Sequence, residues 1–203
     1  NNVRENLPGF PFKITDVGEL ALDFDFQKLY GDEGYKVALN TFLTNESFLT
    51  NFSSNDGDFF FVFDQKENFI PAYPVSLPDT VIEGKTFARL YKNDETGYEW
   101  RRVIIKDGER YLTGSLDLKK VFEGFINRGY INPQQYIYHL QLGLEITNGF
   151  GGMRFNKSII TTCTPAAITS VTASNTGPLC SGQTTNLTAN GVGGTNAVVT
   201  WWT

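Results

Sequence analysis

The chain has 203 residues and a net charge of −5, with 40% hydrophobic and 14% aromatic content. That length suits one medium domain, or one domain and part of a second, and the apolar content fills a large core. The acidic balance leaves no basic stripe for phosphates, which argues against nucleic acid as a partner, and no apolar run approaches the ~20 residues of a membrane-spanning helix.

The opening, NNVRENLPGF, is polar and has no charged-then-apolar leader, so it reads as a mature or internal start. From there to about Ile160 the pattern is that of antiparallel β-structure. Candidate strands run over Glu19–Gln27, Tyr35–Leu43, Asp58–Asp64, Lys85–Tyr91, Tyr98–Lys106, Tyr111–Gly114, Tyr136–Glu145 and Met153–Ile160. Turn signals separate most of them: Gly31-Asp32-Glu33-Gly34, Asn55-Asp56-Gly57, Asn93-Asp94-Glu95-Thr96-Gly97 and Lys106-Asp107-Gly108. Many short strands with such turns predict a sandwich or barrel.

One helix interrupts them between Ser115 and Gly129. Leu118, Val121, Phe122, Phe125 and Ile126 recur at helical spacing, Ser115 is placed to cap, Asp117 favours the first turn and Gly129 the end. Its apolar face predicts a supporting role against the sandwich.

Chemistry concentrates in YIYHLQLGLEITNGFGGMRFN, residues 136–156. At period 2, Tyr136, Tyr138, Leu140, Leu142 and Leu144 share one face, and Ile137, His139, Gln141, Gly143 and Glu145 share the other. The second face is mostly polar and predicts an outward or cleft-facing surface that delivers the Glu145 carboxylate beside glycine-bared backbone. His139, the single histidine, lies on that face as a candidate ligand contact. Arg101 and Arg102 alternate faces, which predicts that one of them pairs with a cleft or surface carboxylate.

Beyond Thr161 the composition changes: residues 161–203 contain no Lys, Arg, Asp or Glu and are rich in Thr, Ser, Asn, Gly and Ala. Val171, Leu187 and Val199 recur between turn signals, as in an immunoglobulin-like module. About 40 residues do not complete a sandwich of ~100, so the expected division is 1–160 for the first domain and 161–203 for part of a second, in a fragment of a longer protein. Cys163 and Cys180 have no accompanying His/Cys cluster, so no zinc or other metal site is expected, and no cofactor. A disulfide and two free thiols both remain open for them.

The order of elements from Ile14 to Ile160 resembles the glycoside hydrolase family 12 endoglucanases. The resemblance rests on Val81-Ile82-Glu83-Gly84-Lys85-Thr86, the helix, Gly129-Tyr130 leading to Gln135-Tyr136, and LQLGLEITNGFGG. It covers about three-quarters of the chain and lacks the family's first strands, including the tryptophan-bearing one. It implies an all-β, concanavalin-like β-jelly-roll sandwich with one helix, followed by part of an immunoglobulin-like β-sandwich. It also implies a retaining mechanism, which needs two carboxylates ~5 to 5.5 Å apart.

By resemblance Glu145 takes the acid/base position. Pro71 stands thirteen residues after Asp58, as the family's Pro follows its nucleophile, so Asp58 takes the nucleophile position, one methylene shorter than Glu. Asn40 stands where the family has an Asp that supports the nucleophile. Phe60 and Val62 follow Asp58 where the family offers Met and Trp, and Phe59, Phe61 and Phe63 point into the core.

A carboxylate set back by an ångström costs on the order of 100-fold in rate, and losing the supporting Asp removes a charge that would tune the pair. The first expectation is therefore a non-catalytic carbohydrate-binding or adhesion domain, with substrate contacts from Asn40, Phe60 and His139. The alternatives are a retaining endo-β-1,4-glucanase using Asp58 and Glu145, and a purely structural stalk.

The tail from Cys163, with PLCSGQTTNLTANG followed by a Trp, resembles the immunoglobulin-like repeats of very large surface proteins of gliding, Bacteroidetes-type bacteria. It implies a secreted or cell-surface location. The partners it implies are a β-glucan-type polysaccharide or cell-surface glycan and other domains of the same long chain.

Overall fold

The computed structural model describes residues 3–4, 10–30, 34–47, 56–66, 75–94, 96–106, 109–163, 170–173 and 187–190. Pro71, Cys180, Val199, most of the Gly31–Gly34 turn, Asp107-Gly108 and the closing Trp-Trp-Thr lie outside those residues.

Short β1 (Val3–Arg4) and β2 (Phe12–Lys13) precede β3 (Glu19–Tyr30), β4 (Tyr35–Thr44) and β5 (Gly57–Lys66). Next come β6 (Val75–Ile82), β7 (Lys85–Asn93), β8 (Glu99–Ile105), β9 (Thr113–Asp117) and helix α1 (Leu118–Ile126). β10 (Tyr136–Ile137), β11 (Gln141–Ile146) and β12 (Gly152–Cys163) complete the sandwich, and β13 (Ser170–Ala173) with β14 (Leu187–Asn190) forms a separate two-stranded pair.

The large sheet runs β1-β11-β4-β5-β8-β7-β6, with β10 bridging β4 and β2; the small sheet runs β12-β3-β9. The sequence predicts antiparallel pairing throughout, but β5 and β8 are parallel. β6 was not among the expected strands; it forms the sheet edge paired to β7. Gly57 is required where β5 enters that parallel pair, because a Cβ there would collide with the Glu99 carbonyl.

Alternation builds the core as expected. Phe59, Phe61 and Phe63 point from β5 to meet Leu20, Leu22, Phe24 and Phe26 of β3, all buried. The Phe24 and Phe63 ring centroids lie 4.8 Å apart, and Phe61 and Phe87 4.9 Å, in the range where aromatic pairs add to area burial. Helix α1 closes one end: Leu118, Phe122 and Phe125 are fully buried, with Phe122 4.8 Å from Phe59.

Two local expectations are corrected. The helix is capped by Asp117, whose side chain accepts from the Lys120 amide at 3.0 Å. Ser115 does not cap, because it is held in β9 opposite Asp23. The expected strand Tyr136–Glu145 is two strands. Ile137 pairs with Leu43, yet Gln141 pairs with Asn40, so one extra residue is accommodated between them. That residue exchanges the faces: Ile137 enters the core beside Leu140, while Gln141, Gly143 and Glu145 keep the outer face. Strand β12 also continues to Cys163, opposite Glu19, past the compositional boundary near Ile160.

Candidate functional site

The face of the large sheet turned away from the core is ordered by strand register into rows. Glu145, Lys36 and Gln65 make one; Gly143, Ala38, Val62 and Ile104 the next; then Gln141, Asn40, Phe60 and Arg102; then Phe42, Asp58 and Trp100. His139 joins the last row, its ring 5.2 Å from Phe42. Ala38, Val62, Leu90 and Ile104 form a buried apolar floor beside Phe60. Above it lies a shallow depression of about 180 Å³ lined by Asn40, Phe60, Gln141, Gly143 and Glu145 among others. Four of the expected positions, Glu145, Asn40, Phe60 and Asp58, thus share one face with His139, as their alternation requires.

Sharing a face is not the same as meeting. Asp58 is opposite Phe42 and Glu145 is opposite Lys36. Those two partners are six residues apart on β4, which is about 20 Å of strand. A retaining pair needs its carboxylates ~5 to 5.5 Å apart, and even an inverting pair ~6.5–9.5 Å. The register does not bring Asp58 and Glu145 together as either.

Each carboxylate instead has its own cation. Arg102 grips Asp58 bidentately, Nη1 donating to Oδ1 at 2.5 Å and Nη2 to Oδ2 at 3.0 Å, with both residues buried. The Arg102 guanidinium also lies 4.2 Å from the Phe60 ring and 5.0 Å from the Trp100 ring, so it is fixed between two aromatic faces. Burial pushes the Asp58 carboxyl above its ordinary value, with Arg102 pulling the other way by hydrogen bonding and charge. Glu145 is half exposed and pairs with Lys36 at 3.0 Å. The Lys36 ammonium lies 5.0 Å from the Phe60 ring.

Unmet hydrogen-bonding capacity is concentrated here. The Asn40 Oδ1 and both amide atoms of Gln65 are buried and have no partner. A buried polar group without a partner costs ~1–3 kcal/mol, so three such atoms on one face favour a polyhydroxylated ligand or ordered water as their complement.

Sequence reasoning anticipated that one of Arg101 and Arg102 would meet a carboxylate. Arg102 does so on the outer face. Arg101 points the other way, is fully buried, contacts Glu99 and donates from Nε to the Tyr130 carbonyl. Burial lowers its pKa to about 10. Sequence reasoning missed Lys36, Gln65 and Trp100. Alternation along β4 and β8 carries the signal for Lys36 and Trp100, which are two-residue steps from Ala38 and Arg102. Gln65 carries no such signal, because a register shift at Val37/Ala38 moves it onto this face.

No protein-family model and no curated protein matches the chain. Solved structures do. A meso-active, thermostable cellulase derived from Cel12A of Rhodothermus marinus is similar with a TM-score of 0.67 at 19% identity, over 79% of this chain and 72% of that one. The family 12 endoglucanase 3 of Trichoderma harzianum is similar at 0.66 and 17%, over 79% and 69%. A family 12 xyloglucanase from Bacillus licheniformis is similar at 0.61 and 13%, over 77% and 67%. The chain therefore has the jelly-roll fold of the family 12 glycoside hydrolases.

Proposed function

We propose that the protein is a carbohydrate-binding module of a secreted or cell-surface protein, holding a β-linked glucan along the outer face of its large sheet without hydrolysing it. The observation that carries this reading is the bidentate Asp58–Arg102 pair, set about 20 Å of strand from Glu145. A carboxylate gripped at both oxygens, behind two aromatic rings, is not free to attack an anomeric carbon. The same face offers what binding needs: an apolar floor, the Phe60 and Trp100 rings, and the unpartnered Asn40 and Gln65 side chains. Asn40, Phe60 and His139 serve as ligand contacts, with Gln65 and Gln141 beside them. The β13–β14 pair supports an immunoglobulin-like module following the jelly roll, as in an adhesin made of repeats.

A second reading, hydrolysis with retention, is favoured by the likeness to endoglucanases and a xyloglucanase and by the half-exposed Glu145 at the depression. One pair of assays separates the two. Calorimetric titration with cellohexaose and with a xyloglucan oligosaccharide reads binding, while reducing-sugar release from β-glucan and xyloglucan reads turnover. Binding without release, weakened by Phe60→Ala, is the expected result. Release that Glu145→Gln abolishes would overturn the binding-only reading. Neither binding nor release from folded protein would leave a structural stalk.

A further inference from the structure

A second cavity lies at the edge of the sandwich, between the β6–β7 hairpin, β9 and helix α1, with a volume of about 360 Å³. That is within the low end of the range of small-molecule sites, ~300–1,000 Å³. It shares no residue with the outer-face depression.

Its defining feature is Arg89, which lines the cavity and is only 9% exposed. Arg89 projects from β7 on the same side as Phe87, under the sheet. Its Nε donates to the Pro78 carbonyl at 2.7 Å, which fixes the side chain. Nη1 lies over helix α1, where a Cβ added to Gly124 would stand 3.1 Å away. No ion pair among the described residues reaches this guanidinium.

The acidic groups nearby are engaged elsewhere. Asp117 pairs with Lys120 at 2.9 Å, Glu83 accepts from the Tyr111 hydroxyl at 2.9 Å, and Asp79 pairs with Lys106. Arg128 adds a second cation beside Gly124, donating to its carbonyl at 2.9 Å. Burial and then the charge of Arg128 hold the Arg89 pKa below its ordinary value, with Asp79 offsetting part of this. A buried charge ordinarily has a counter-ion, because desolvation without one costs several kcal/mol. Here the two terminal nitrogens of a planar fork suited to a carboxylate are left for a ligand.

The remaining walls narrow the ligand. Ile82 and Val121 supply apolar surface, while the carboxylates of Glu83 and Asp117, beyond the donors each already accepts from, keep lone pairs for hydroxyl donors. We propose that this cavity binds a hexuronate, a sugar ring bearing one carboxylate. The carboxylate docks on Arg89, the hydroxyls face Glu83 and Asp117, and the C–H face of the ring rests on Ile82 and Val121. The site requires neither the outer face nor its glucan.

The test uses the full chain and four probes: sodium glucuronate, glucose, sodium acetate and an oligo-glucuronate, each titrated by calorimetry or by NMR. The expected result is that glucuronate binds ~10-fold or more tightly than glucose and than acetate, the difference one charge-assisted hydrogen bond provides. Two variants should each lose it ~10-fold or more: Arg89→Met, and Val121→Trp, which fills the cavity from a half-buried helix position and leaves the Pro78 contact in place. Oligo-glucuronate binding as well as glucuronate assigns the site to an acidic glycan; weaker binding assigns it to the free sugar acid. Glucose or acetate binding equally, no glucuronate binding, or affinity unchanged in folded Val121→Trp would overturn the proposal.

Discussion

The two faces of the large sheet share a backbone but are built on different principles. Inward, Phe59, Phe61 and Phe63 meet Phe24, Phe26 and Phe87 in a continuous aromatic core, where any large apolar side chain has several neighbours. Outward, Asp58, Arg102 and Phe60 form a chain of specific contacts in which the one carboxylate depends on the one guanidinium that grips it. The inner face tolerates change in proportion to volume; the outer face fails by pairs. A fold of this kind is retained under substitution that rewrites the surface it carries.

Phe61→Ala should have the largest effect, removing a fully buried ring and costing ~3–5 kcal/mol of stability in chemical denaturation. Its loss should be graded, so Phe61→Leu should recover most of it. The contrast is Arg102→Met, which strands Asp58 as a buried charge at a cost of ~3–5 kcal/mol. Here the double variant with Asp58→Leu should recover most of the loss. A double variant as unstable as the single one would break the comparison by showing that Arg102 acts through packing on Phe60 and Trp100.

Glu145→Gln should change stability by less than ~1 kcal/mol, because its pair with Lys36 is half exposed. A larger loss would mean that the Glu145 end of the outer face is as tightly built as the Asp58 end. Smallest is a pH effect. Burial raises the folded pKa of Asp58 above its ordinary, unfolded value, so folding takes up protons there. The stability Asp58 contributes is full below that value and declines as pH rises through its folded pKa. Melting temperatures of the wild type and Asp58→Asn, compared in steps upward from pH 3, should therefore diverge, with the variant gaining relative stability. Parallel curves would place the Arg102 interaction above burial in setting this carboxyl.

The sequence made the inner face readable because period-2 alternation survives any register: Phe59, Phe61 and Phe63 face inward whichever strand lies beside them. It also placed Glu145, Asn40, Phe60 and Asp58 on one surface. What alternation does not encode is distance along the strands. The approximately 20 Å of β4 between the partners of the two carboxylates depends on which residue each opposes, and on bulges that add one residue between Ile137 and Gln141 and shift Gln65. The parallel β5–β8 pair, which brings Arg102 opposite Phe60, is likewise a long-range choice. Asp117 displaced Ser115 as the cap because pairing to β3 claimed Ser115 first.

The outer face also has a consequence for behaviour in salt. Its two carboxylates are each neutralised within a few ångströms, Asp58 by Arg102 and Glu145 by Lys36, so a neutral polysaccharide meets a surface with dipoles but little net field. Screening at physiological ionic strength, with a Debye length of ~8 Å, leaves such a surface nearly unchanged. Under the proposed binding reading, glucan affinity should then be flat from low to seawater-like salt, as calorimetry across that range would show.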